Sequence, residues 1–125
     1  MYDKALIVEH LENIEASLQE VLEWTKHVCS SNDFTTSQER VILLNAVCMK
    51  LFAVGEEVKN IDKRTGKTLL PKYQSIPWKD VMGMRDVIAH HYFKIDADEV
   101  LRIIRDDILP LLTTVAQIKV DLQKI

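Results

Sequence analysis

The chain has 125 residues, 47% apolar and 28% charged, with three glycines, three prolines and a net charge of −3. That length holds a core without staples, so one domain over residues 1–125 is expected. Two cysteines, Cys29 and Cys48, exclude a disulfide framework, so few turn residues exclude an all-β fold, and the acidic balance excludes a uniformly basic surface.

The opening run "MYDKALIVEHLENIE" carries a charge every few residues, which predicts neither a secretory leader nor a membrane span; a cytoplasmic chain without membrane contact is expected. Ile7, Leu11, Ile14, Leu18, Val21 and Val28 recur at steps of three and four, with Thr25 in the missing step. This spacing predicts a helix over residues 2–28. "CSSNDFTTS" reads as a loop rich in capping residues, and Thr36 followed by Glu39 resembles a capping box. A second helix starts near Gln38, with Val41, Leu44, Cys48, Leu51 and Val58 on its stripe and Gly55 among them. A glycine there costs about 1 kcal/mol against alanine, so another helix is expected to cross closely at that point.

"DKRTGKTLLPKYQSIP" breaks the period with Gly66, Pro71 and Pro77 and reads as a long loop. From Lys59 to Asp80 the chain carries Lys59, Lys63, Arg64, Lys67, Lys72 and Lys79 against Asp62 and Asp80. A basic loop on an acidic body fits either a solvated loop or a set of phosphate contacts.

A third helix follows Pro77 and holds "GMRDVIAHHYF", residues 83–93. On a helical wheel Trp78, Val81, Met84, Ile88 and His91 share a broad apolar sector, while Lys79, Asp86 and His90 lie opposite, near Gly83. Arg85 falls inside the apolar sector with Tyr92 close beside it. A guanidinium there needs a carboxylate partner, for which Glu56, Glu57, Asp106 and Asp107 are candidates, or it lines a cavity or an interface. Asp86 and His90, four apart, can meet on the helix surface, and the helix C-terminus favours a protonated His90. Arg85 and His90 sit about 140° apart on a straight helix, so they converge on one phosphate only if the helix loosens or a second subunit contributes.

Asp96 and Glu99 stand in capping-box relation before the last helix, which carries Leu101, Ile104, Ile108, Leu111, Val115, Ile118 and Leu122. Pro110 inside it predicts a kink or a division. The expected fold is all-α, an antiparallel bundle of four to five helices. There are no Glu-x-x-His pairs for a di-metal bundle, "RTGKT" lacks the earlier glycine of a phosphate loop, and no serine or cysteine is arranged as a nucleophile. No metal or cofactor is expected.

"RDVIAHHY" fits R-x4-H-x-Y, and together with "IPWKDVMGMRDVIAHHYFKIDADEV", "GEEVKNI" and "YDKALIVEHLENI" the chain resembles HEPN-domain proteins of the HepT toxin type over nearly its whole length. The resemblance implies a homodimeric helical bundle acting as a metal-independent endoribonuclease on RNA such as tRNA, paired with a nucleotidyltransferase antitoxin. It puts Arg85 and His90 at the catalytic positions, Asp86 at the supporting polar position, and Tyr92 at the tyrosine that receives AMP. His91 departs from a commonly acidic position. Lys63, Arg64, Lys67, Lys72 and Lys79 then become candidate RNA contacts. The rival reading is a non-catalytic helical module that binds a nucleotide or a partner protein.

Overall fold

A computed structural model of the chain describes residues 2–90 and 95–124, with side chains described for 2–84 and 95–124. It is all-α: α1 (Lys4–Trp24), α2 (Gln38–Arg64), α3 (Trp78–His90), α4 (Ala97–Arg102) and α5 (Ile108–Gln123), with no strand among the described residues. Short 3-10 turns cover Ser31–Phe34 and Leu70–Lys72, and a π-helical segment, Ile103–Asp107, joins α4 to α5. No helix among the described residues is long and apolar enough to cross a membrane.

Each start has a local cause. Asp3 caps α1 by accepting from the Leu6 N–H, Asp96 caps α4 through the Asp98 and Glu99 N–H groups, and Ser37 caps α2 through the Arg40 N–H. The cap of α2 is therefore one residue later than the Thr36–Glu39 pattern suggests. Glu99 does not close a box on Asp96, because its carboxylate is taken by Arg102 at 2.8 Å. α1 stops at Trp24, four residues short of the predicted end. There the Thr25 hydroxyl donates to the Val21 carbonyl at 2.7 Å and the chain turns, leaving Val28 half-buried beyond the helix.

α1 packs on α2 and α5, and α2 also packs on α3. His10 contacts Glu57 while Glu20 contacts Lys50, so α1 and α2 run antiparallel. The α1 stripe is buried as predicted, Ile7, Leu11, Ile14, Leu18 and Val21 each being at most 1% exposed. α2 buries more than one stripe, because it has helices on two sides: Val47, Val54 and Ile61 join Leu44, Cys48, Leu51, Gly55 and Val58. Val41, expected inside, is 41% exposed near the α2 N-terminus. Every predicted residue of the last stripe is buried.

The division expected at Pro110 takes the form of the π segment. Proline offers no N–H to the carbonyl four residues back and its ring crowds that carbonyl. The ladder resets just upstream, where the Ile108 N–H bonds to the Ile103 carbonyl, five residues away.

The stretch read as a long loop is more ordered than expected. α2 runs on to Arg64, Thr65 takes the Ile61 carbonyl at 2.8 Å, and Leu69, Leu70 and Ile76 are buried. Gly66 and Lys67 both have φ of 61°. Lys67 adopts this left-handed conformation despite its side chain, a strain of about 1–2 kcal/mol, while its N–H bonds back to the Asp62 carbonyl at 2.8 Å.

Several carboxylates are held below their ordinary range. Asp33 accepts from the Cys29 and Ser30 N–H groups, Asp121 from Tyr73 and Gln117, and Glu99 from Arg102. A carboxyl depressed in the folded state contributes stability that is full above its unfolded pKa of about 4 and is lost as pH falls through the folded value. These carboxylates are therefore expected to make the thermal midpoint drop as pH falls below about 4. Circular-dichroism melts across that fall in pH check it, with a shallower acid limb expected for Asp33→Asn; a midpoint that rises on acidification contradicts it.

Candidate active site on the third helix

Pro77 opens α3: its carbonyl takes the Asp80 and Val81 N–H groups, and Trp78 and Val81 face inward while Lys79 and Asp80 are exposed. The backbone is helical from Trp78 through His90, so Arg85, Asp86 and His90 ride on one regular helix. Their side chains lie outside the described set, and His91 and Tyr92 lie outside the described residues altogether. The N-terminal half of α3 follows the predicted wheel, with Met82 and Met84 half-buried beside Trp78 and Val81.

α3 borders a cleft of about 1110 Å³ shared with α4, the π segment and α5. Its floor is apolar, including Leu51, Val81, Ile103 and Leu111. Its rim carries Asp80, Asp96, Glu99, Asp106 and Asp107 against Lys79 and Arg102. Arg102 is occupied by Glu99 and Asp107, so little of the positive charge on the described rim is free for a phosphate. Among the predicted basic contacts, Lys79 lines this cleft; Lys63, Arg64, Lys67 and Lys72 are exposed around the C-terminal end of α2 and the segment after it. None of these five forms an ion pair among the described residues. Nor is there, among the described residues, a cluster of three or more histidine, cysteine, aspartate or glutamate side chains able to hold a metal ion.

Two of the carboxylates considered for Arg85 have other partners. Glu57 is engaged by His10 Nδ1 and, at 3.5 Å, by the Asn13 amide; Asp107 is engaged by Arg102 at 3.2 Å. Asp106 is exposed on the cleft rim. The His10–Glu57 pair was not foreseen. It ties α1 to α2, with His10 Nε2 buried and without a hydrogen-bond partner among the described residues.

Gly83 lines the cleft, and a Cβ built there meets nothing within 4 Å among the described residues. Glycine inside a helix is worse than alanine by about 0.5–1 kcal/mol. Gly83→Ala is therefore expected to raise the thermal midpoint by roughly 2–5 °C, read by calorimetry. A lower midpoint would show that the site is not open space.

An all-α bundle whose third helix carries Arg85, Asp86 and His90 defines a class of small helical proteins. Comparison with known proteins makes this specific. The family model described as ribonuclease HepT-like matches residues 8–118, and the chain belongs to that family. It is 33% identical over 116 residues to "Putative RNase TTE0752" of Caldanaerobacter subterraneus subsp. tengcongensis, covering 92% of this chain and 93% of that one. It is 31% identical over 100 residues to "Probable ribonuclease HepT" of Thermococcus cleftensis, covering 80% and 84%. It is 30% identical over 115 residues to "Gamma-glutamylcyclotransferase and putative RNase MJ0434" of Methanocaldococcus jannaschii, where it covers 92% of this chain but spans about half, 48%, of the relative. No solved structure matches the chain significantly.

Proposed function

We propose that this chain is a metal-independent endoribonuclease toxin that cleaves RNA, tRNA being the first substrate to try, through Arg85 and His90. The observation that carries the reading is the R-x4-H-x-Y run, whose Arg85 and His90 stand on α3, in a chain matched by the ribonuclease HepT-like family over residues 8–118.

The residue types suit the chemistry. Cleavage without a metal can use the substrate's 2′-hydroxyl as nucleophile. The 2′-oxygen bonds to phosphorus while a base takes its proton, and the 5′-oxygen leaves with a proton from an acid. His90 serves as base or acid near neutral pH. Arg85 offers a planar fork to the phosphate oxygens as charge builds on them. Asp86, one residue from Arg85 and four from His90, supports the imidazole. The acidic rim of the cleft leaves phosphate neutralisation to Arg85 and to a path over Lys79, Lys72, Lys67, Arg64 and Lys63.

Two chains acting together would supply two histidines. Ile42 and Met49, seven residues apart on α2 and 61% and 64% exposed, give apolar surface that supports such pairing. A nucleotidyltransferase antitoxin is the proposed partner and the cytoplasm the proposed compartment. AMP on Tyr92, seven residues from Arg85, would block RNA by bulk and negative charge.

The test incubates purified protein with end-labelled tRNA in EDTA. Cleavage that persists in EDTA supports the nuclease. Intact tRNA and intact bulk cellular RNA, with folded and unmodified protein, support the rival binding module. Co-expression with a candidate antitoxin should add the mass of one adenylyl group to the tryptic peptide Asp86–Lys94, which contains Tyr92.

A further inference from the structure

α3 is held at its start by a chain of polar contacts that reaches across the bundle. Tyr73 closes the 3-10 turn Leu70–Lys72, five residues before Trp78. Its hydroxyl donates to Asp121 Oδ2 on α5 at 2.6 Å, and the other oxygen of Asp121 accepts from the Gln117 amide at 2.8 Å. The Tyr73 carbonyl accepts from Trp78 Nε1 at 2.9 Å, and Trp78, the first residue of α3, is 9% exposed. Thus α5, a phenol, a backbone carbonyl and an indole are joined in series at the entrance of the third helix. Burial and the Asp121 carboxylate push the Tyr73 hydroxyl up to about 12, so it remains a donor throughout the neutral range.

Among the described residues, α3 packs along α2. A helix laid against one neighbour can roll by small amounts at little cost, and a roll of about 10° moves side-chain tips by about 1 Å. Arg85 and His90 lie seven and twelve residues beyond Trp78, roughly 10 and 18 Å along the axis. A displacement of about 1 Å at reacting groups can cost up to 10²-fold in rate.

We infer that Tyr73 is a positioning residue for the α3 motif, fixing the roll and height of that helix by bonding to Asp121 on one side and to Trp78 through its own carbonyl on the other. The inference rests on the reading of Arg85 and His90 given above. It predicts a defect in turnover more than in RNA binding, because the groups that move furthest act in the transition state while Lys63, Arg64 and Lys67, outside α3, stay in place.

The test compares wild type, Tyr73→Phe, Asp121→Ala, Asp121→Asn, the Tyr73→Phe/Asp121→Ala double variant and His90→Ala on end-labelled tRNA in EDTA, well below the melting temperature. Tyr73→Phe is expected to lower kcat by roughly tenfold with KM within about twofold. Asp121→Ala should match it, and the double variant should be no slower than either. Asp121→Asn, whose amide oxygen still accepts the phenolic proton, should restore most of the rate. In a Trp24→Phe background, where Trp78 is the one remaining tryptophan, Tyr73→Phe should shift the emission to the red. Unchanged kcat in Tyr73→Phe, a rise in KM alone, or losses that multiply in the double variant would overturn the tether. If Tyr73→Phe is wild-type while His90→Ala is inactive, the tether alone falls. If His90→Ala still cuts, the motif reading falls first and takes the tether with it.

Discussion

His90→Ala is expected to lower EDTA-resistant cleavage of tRNA by about 10²–10⁴-fold, the usual worth of a positioned general acid or base. Arg85→Ala is expected to cost about 10²–10³-fold, as loss of a charge-stabilising donor does elsewhere. Arg85→Lys keeps the charge but loses the fork, so it should fall between wild type and the alanine variant. Single-turnover rates read these effects, with circular dichroism confirming that each variant is folded. Either alanine variant cutting at the wild-type rate sinks the assignment. Mixing the two variants tests the geometry further. α3 is helical through His90, so the two positions stay about 140° apart and one chain is badly placed to aim both at one phosphate. If each site takes Arg85 from one protomer and His90 from its partner, an exchanged mixed dimer holds one intact site and one doubly damaged site. With half the dimers mixed, about a quarter of the wild-type rate should return. Recovery near zero would place both groups in one chain, or require both histidines in each site.

The parts of this protein that were legible in its sequence are those governed by helical period. The stripes from Ile7 to Val21 and from Leu101 to Leu122 are buried as the spacing predicts, and Pro110 disturbs its helix as its chemistry requires. Errors fall where a tertiary neighbour decides. α2 buries Val47, Val54 and Ile61 because helices flank it on two sides, and Val41 is exposed because burial also depends on how far those neighbours reach. Leu69, Leu70 and Ile76 are buried without helical spacing, so period could not find them. For the site, periodicity marked Arg85 as a misfit but could not name its partner. R-x4-H-x-Y pointed to a family that the comparison then supported over residues 8–118. The tie from Asp121 through Tyr73 to Trp78 joins residues 48 and five positions apart, and no local pattern announces it.

Phe34→Ala is expected to be the most damaging single truncation outside the helices, at about 3–5 kcal/mol. The segment around it reads as a polar, cap-rich loop, yet Phe34 is 0% exposed and its 3-10 turn packs on both α2 and α4. The turn is built to deliver that ring. Asp33 gathers the Cys29 and Ser30 N–H groups at 2.7 and 3.1 Å, the Thr35 hydroxyl takes the Asn32 carbonyl, and Arg105 of the π segment donates to the Cys29 carbonyl. With the backbone pinned this way, the surroundings can collapse little into the space left by the ring, which puts the cost at the upper end of the range. Against a total stability of about 5–15 kcal/mol, the thermal midpoint should fall by roughly 10–20 °C. Urea unfolding at unchanged slope measures the loss. Thr36→Ala, at an exposed neighbour that caps nothing in α2, should stay within about 0.5 kcal/mol. Ser37→Ala, at the true cap, should cost about 0.5–2 kcal/mol. If Phe34→Ala instead costs no more than Thr36→Ala, the ring does not occupy the core and the placement of the α1–α2 connection is wrong. If the loss is large but Arg105→Ala reproduces none of it, the ring alone anchors the connection. The π segment that borders the cleft then owes nothing to it.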